Sequence, residues 1–298
     1  MPKVAAIDSG TNSLRLVVAD LRDGKLHNSQ KFMQVVRLGE GVDKTGVIGA
    51  AALGRARAAA LEFRNIMQKS GVERLRIGAT SAIRDARNAD GYLDLMEAIF
   101  GTRPQVIAGT EEAALTYQGA RASVVSPAPA LVVDIGGGST EYVLGGTYAV
   151  STQMGAVRFT EKFGEDETRL RAAVAAQLTQ VGRQVPLAQT RSLVGVGGTV
   201  TSVWAGAIGA VRDAPETVGG VALPIEQAVE ACQRMFDMSV AQRESLPFMP
   251  PGRADVIGAG AIIWAETIRA VAAANPHLRE VYCSTEDILD ALALSLAD

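Results

Sequence analysis

The sequence predicts an α/β protein built from two copies of one module. Three observations predict it. Short apolar runs alternate with helix-length segments along all 298 residues. An Asp-Gly loop between two apolar runs occurs twice, at Asp8 and at Asp134, 126 residues apart. The elements after each loop then return in the same order, the mark of an internal duplication. At about 150 residues per domain the length suits two domains.

In the first copy, Val4 to Ile7 reads as a buried strand ending in the loop Asp8-Ser9-Gly10-Thr11-Asn12-Ser13. Leu14 to Asp20 returns as a second strand, Asp23-Gly24 gives a tight turn, and Lys25 to Leu38 holds a third strand. Residues 51–69 form a helix whose Leu53, Ala56, Ala60, Phe63 and Met67 share one face. A strand at Leu75–Ala79, a helix near Gly91–Phe100, a strand at Val106-Ile107 and a helix from Glu111 complete the copy. Ser123 to Pro129 is the connector.

In the second copy, Ala130 to Val133 leads into Asp134-Ile135-Gly136-Gly137-Gly138-Ser139-Thr140. Glu141 to Leu144 is the returning strand, Gly145-Gly146 the turn, and Thr147 to Thr152 the third strand. Helical segments and a strand at Leu193–Val196 follow, the latter ending in Gly197-Gly198-Thr199.

Composition removes several classes of function. A net charge of −3 gives no electrostatic case for nucleic acid or an anionic membrane. Cys232 and Cys283 form no CxxC pair, and His27 and His277 stand alone, so zinc and phosphohistidine chemistry are excluded. Neither cysteine has an Arg six residues on, as a cysteinyl-phosphate enzyme would. The longest uninterrupted apolar run, Val256 to Ala265, is far below the ~20 residues of a membrane span. A cytoplasmic protein is the expectation.

What remains is carried by the two loops. Glycine-rich hairpins bring backbone N–H groups close to an anion, and Ser or Thr hydroxyls add donors. Gly10, Thr11, Asn12 and Ser13 in one copy, and Gly136, Gly137, Gly138, Ser139 and Thr140 in the other, are the candidate phosphate contacts. The P-loop pattern GxxxxGK[ST] and the DxDx[TV] start of an aspartyl-phosphate enzyme are both absent. Four carboxylates lie in or beside the loops: Asp8, Glu112, Asp134 and Glu141. Read alone, Glu111 and Glu112 merely complement a helix N-terminus after Thr110. Asp134 equally caps its own loop, and Arg84 equally pairs on a surface with Asp85 or Asp90.

The blocks AIDSGTNSLRLVVAD (6–20), ATSAIRDARN (79–88), GTEEA (109–113), VVDIGGGSTEYVLG (132–145), GVGGTVTSV (195–203) and GRADVIGAGAIIWAE (252–266) resemble the exopolyphosphatase/guanosine pentaphosphate phosphatase family in its own order. The resemblance implies two ribonuclease-H-like domains of the actin/sugar-kinase/heat-shock-ATPase superfamily around a phosphate-binding cleft. It places a first domain over 1–122 and a second over 123–284, with the last helix, 285–298, packing back on the first. Implied is an exopolyphosphatase releasing terminal orthophosphate from inorganic polyphosphate by metal-assisted in-line attack of water. Glu112 is then the catalytic base with Glu141 beside it, Arg84 a phosphate contact, and Asp8, Asp134 and Glu141 the ligands of Mg²⁺ or Mn²⁺. Arg15 is a weaker candidate for the role of Arg84. Guanosine pentaphosphate is the alternative substrate, a sugar-kinase-type phosphotransferase lacks a sugar-binding block, and a non-catalytic sensor of polyphosphate or alarmones would not need the base. A homodimer is expected from the family's habit. The segment Ser284 to Asp290 departs from the family's Leu-Arg-Glu-Gly pattern, which bears on chain-length preference and dimer geometry.

Overall fold

The structure is a computed structural model that describes residues 2–297. In chain order the elements are β1 (Lys3–Ser9), β2 (Ser13–Arg22), β3 (Lys25–Val35), α1 (Val42–Thr45), α2 (Ala50–Ser70), β4 (Arg74–Ala79), α3 (Ser81–Asp85), α4 (Ala89–Phe100), β5 (Gln105–Val106) and α5 (Gly109–Ser123). There follow β6 (Ala130–Ile135), β7 (Thr140–Leu144), β8 (Tyr148–Thr152), α6 (Ala156–Phe163), α7 (Glu167–Gln184), β9 (Ser192–Val196) and α8 (Gly198–Ala207). The last are β10 (Ala222–Pro224), α9 (Ile225–Asp237), α10 (Val240–Glu244), α11 (Ile257–Ala274), β11 (Glu280–Cys283) and α12 (Ile288–Leu294).

Two units result, one of residues 1–115 with 288–298 and one of residues 116–287. The division falls inside α5, ahead of the residue-122 boundary and the connector expected from sequence, because Leu115 packs with the first unit's core whereas Tyr117 and Ala120 pack with the second's. At the other end it falls at Ile288, where α12 begins, rather than at residue 285.

The first unit's sheet has the order β3-β2-β1-β4-β5, and the second's β10-β11-β9-β6-β7-β8. Reversed, the second reads β8-β7-β6-β9-β11, strand for strand the first, with β10 added antiparallel at the edge. The duplicated α/β modules of the sequence are therefore real, each with an antiparallel three-strand meander beside parallel strands.

The central strands β1, β6 and β9 are buried on both faces, which explains why they read as continuous apolar runs. Along β1, Ala5 and Ile7 face a core with α2 and α4 that includes Phe63 and Met96. Val4 and Ala6, on the opposite pleat, pack with Ile288, Leu289 and Leu292 of α12. The returning helix is thus part of the first unit's core, and Lys31 on β3 bonds the buried Asp290 at 2.8 Å. In the second unit α11 lies in the largest core, with Trp264 and Ile268 fully buried. It is long and apolar enough by composition to cross a membrane, but two-thirds of it is buried inside the unit.

Candidate active site

The two hairpins are the same device. In the first, Gly10 N–H donates to the Ser13 carbonyl at 3.0 Å, closing the β1–β2 loop. In the second, Gly136 N–H donates to the Ser139 carbonyl at 3.0 Å, closing the β6–β7 loop. Asp8 and Asp134 occupy the same place, near the end of the strand that enters each loop, and both carboxylates are buried.

The residues opposite them differ. Asp8 pairs in register with Arg15, whose Nε and Nη2 donate to Asp8 Oδ2 at 2.9 and 2.6 Å. Asp134 pairs in register with Glu141, a second buried carboxylate. Like charges directly opposite in an antiparallel pair repel. Hydroxyls attend both acids: Thr116 Oγ1 donates to Asp134 Oδ2 at 3.1 Å, and Ser151 Oγ donates to Glu141 Oε1 at 2.7 Å. Among the described residues no three His, Cys, Asp or Glu side chains gather as a metal site within one unit. Of the expected ligands, Asp134 and Glu141 pair in the second unit, and Asp8, in the first, accepts from Arg15.

Glu112 stands in the first turn of α5 and is 8% exposed. Its Oε2 accepts from Arg84 Nη1 at 2.6 Å, and the same nitrogen reaches the Ile107 carbonyl at 2.7 Å. Burial pushes the Glu112 carboxyl up to about 7. Arg84, by charge and hydrogen bond, works against that rise; Asp8 adds to it and Arg15 opposes it. Asp8, Arg15, Arg84 and Glu112 thus form one alternating set of charges within the first unit. Arg84 also has a buried nitrogen, Nη2, without a hydrogen-bond partner among the described residues. A guanidinium nitrogen of that kind is a ready donor for an anion. The surface pairing of Arg84 with Asp85 or Asp90 is not found: Asp90 pairs with Arg103, and Arg84 with Glu112.

Glu111, by contrast, is half exposed and lies 3.5 Å from Arg76. The buried hydroxyl of Thr140, expected among the phosphate contacts, donates to the carbonyl of Met154, in the loop after β8. Thr11 and Ser139 are buried with their loops, while Gly10, Gly136 and Gly137 keep partial exposure. Both cysteines are buried free thiols, and burial pushes Cys283 up to about 12, so neither is a nucleophile at neutral pH.

Sequence reasoning missed the contrast between Arg15 and Glu141. The offset of 126 that aligns Asp8 with Asp134 also aligns these two, and reading it one strand further would have found it. It also missed Thr116 and Ser151, for which no sequence signal exists.

The chain is similar to known proteins along nearly its whole length. The model of the Ppx/GppA phosphatase family matches residues 17–295. Exopolyphosphatase 2 of Mycobacterium tuberculosis is 38% identical over 317 aligned residues, covering 100% of this chain and 99% of the relative. A solved exopolyphosphatase-like protein is 35% identical with a TM-score of 0.93, covering 99% of this chain and 98% of its own. The Aquifex aeolicus Ppx/GppA family member is 26% identical with a TM-score of 0.78, covering 99% and 97%.

Proposed function

The chain belongs to the Ppx/GppA phosphatase family, and from that premise we propose that it is an exopolyphosphatase, releasing terminal orthophosphate from inorganic polyphosphate. The observation that carries the reading is the buried Glu112, held near neutrality against Arg84. A base titrating near the working pH combines a usable deprotonated fraction with real proton affinity. In the proposed reaction Glu112 orients a water and takes its proton while the water oxygen attacks the terminal phosphorus. The bridging P–O bond breaks, and the shortened chain leaves. Arg84 and the loop N–H groups meet the phosphoryl oxygens, whose negative charge they offset.

Asp134 and Glu141, with the hydroxyls of Thr116 and Ser151, form a hard-oxygen set suited to Mg²⁺ or Mn²⁺ with retained waters. The register-opposed acids supply the reason for a cation there. Bound there, the ion would offset phosphoryl charge. We further infer a homodimer, after the family's habit, and a reducing cytoplasmic setting, which the two free cysteines support.

The test is phosphate release from tripolyphosphate, long-chain polyphosphate and guanosine pentaphosphate, with Mg²⁺ present. Release from either polyphosphate is expected. Turnover of guanosine pentaphosphate alone would replace this substrate with the nucleotide, and release from none would sink the hydrolase reading.

A further inference from the structure

The carbonyls of both hairpin loops are tied down by the chain that follows the third strand of each meander. In the first unit, Val36 and Arg37 N–H donate to the Asn12 carbonyl at 2.9 and 2.8 Å, and Gly39 N–H to the Thr11 carbonyl at 2.8 Å. In the second, Ala156 N–H donates to the Gly136 carbonyl at 2.9 Å, and Val157 and Arg158 N–H to the Gly137 carbonyl at 2.9 and 3.1 Å. The approach is close in both. A Cβ on Gly39 would overlap the Thr11 side chain, and one on Gly155 the Gly137 carbonyl.

One donor differs in kind. Asn12 and Gly138 correspond across the repeat, yet the Asn12 carbonyl is held by main-chain N–H groups. The Gly138 carbonyl accepts from the side chain of Arg158, whose Nε lies 2.7 Å away. In a trans peptide the C=O and the next residue's N–H point in opposite directions. With the carbonyls of Gly136, Gly137 and Gly138 all held toward α6, the N–H groups of Gly137, Gly138 and Ser139 turn to the other side. Successive N–H groups aimed one way make an anion cradle.

Resting on the hydrolase reading, we propose that Arg158 is a positioning residue of the reaction: its Nε–H fixes the Gly138–Ser139 peptide so that Ser139 N–H is presented to substrate phosphoryl oxygens. Arg158 itself touches no substrate. Its loss releases one peptide of the cradle and leaves the main-chain bonds in place.

The experiment compares wild type, Arg158→Ala and Arg158→Lys, with tripolyphosphate as substrate and added guanidinium as a rescue agent. Deleting one preorganised donor costs about 10²–10³ in kcat, and loosening one costs part of that, so Arg158→Ala should lose about 10–100-fold in kcat/KM. Its Tm should stay within a few degrees of wild type, and guanidinium should restore rate to the Ala variant but not raise that of wild type. Wild-type kcat/KM in Arg158→Ala, or a folded Ala variant whose lost rate guanidinium does not restore, overturns the proposal. If the Ala variant does not fold, Arg158→Lys decides: a folded Lys variant slowed in kcat/KM supports the role, and one at the wild-type value overturns it. Should wild type itself release no phosphate, the hydrolase reading fails. Calorimetric tripolyphosphate affinity of wild type and Arg158→Ala then tests the cradle alone: weaker binding upholds it and equal binding overturns it.

Discussion

Glu112→Gln is the perturbation that bears hardest on the mechanism. Gln keeps the size and a carbonyl acceptor for Arg84 but cannot take a proton. A general base contributes about 10²–10⁴ in rate, or about 3–5 kcal/mol of barrier, so kcat at pH 8 should fall by that factor. Wild-type kcat/KM should rise with pH through about 7, as Glu112 loses its proton, and this acid limb should vanish in the variant. The same carboxyl leaves a mark on stability. Below 4.5, its ordinary value, folded and unfolded chains both hold the proton and nothing differs. Between 4.5 and about 7 the unfolded chain has lost it and the folded one has not, so stability falls as pH rises. At 1.36 kcal/mol per pH unit the fall is of order 3 kcal/mol, complete above 7. Urea midpoints at pH 5 and pH 8 read it directly, and the Gln variant should lack that component. A Gln variant with more than a tenth of wild-type kcat at pH 8, or with an unchanged acid limb, refutes the assignment of the base.

The remaining predictions rest on neighbouring groups. Glu111→Gln, at a half-exposed site, should change kcat less than threefold in the same assay and stability by no more than about 1 kcal/mol. Chelation should abolish phosphate release and Mg²⁺ restore it, with Glu141→Gln raising the Mg²⁺ concentration needed; undiminished turnover in excess chelator would give the paired acids another task. Leu292→Ala, in the fully buried contact of α12 with the first sheet, should cost about 2–5 kcal/mol by urea titration. Light scattering should give twice the chain mass, and a monomer at every concentration would remove the dimer.

What the sequence determined by itself was whatever local pattern and repetition can encode. Buried strands announce themselves as apolar runs, and Asp-Gly loops between them as turns, so the two modules and the hairpins at Asp8 and Asp134 were legible, while the order of strands in each sheet was not. Glu112 was legible only through the resemblance of GTEEA, since two acids at a helix start carry no signal of burial. Only the tertiary structure decided that Glu112 is enclosed beside Arg84 while Glu111 meets solvent, because adjacent residues of one helix face directions about 100° apart. It also decided the holding of the loops. Third strand β3 has 11 residues and β8 has 5, so past the hairpins the repeat falls out of step and the offset of 126 that aligns the loops no longer aligns residues 36–39 with 156–158. Hydrogen bonds between such segments depend on where the chain returns in space, and linear spacing does not carry that.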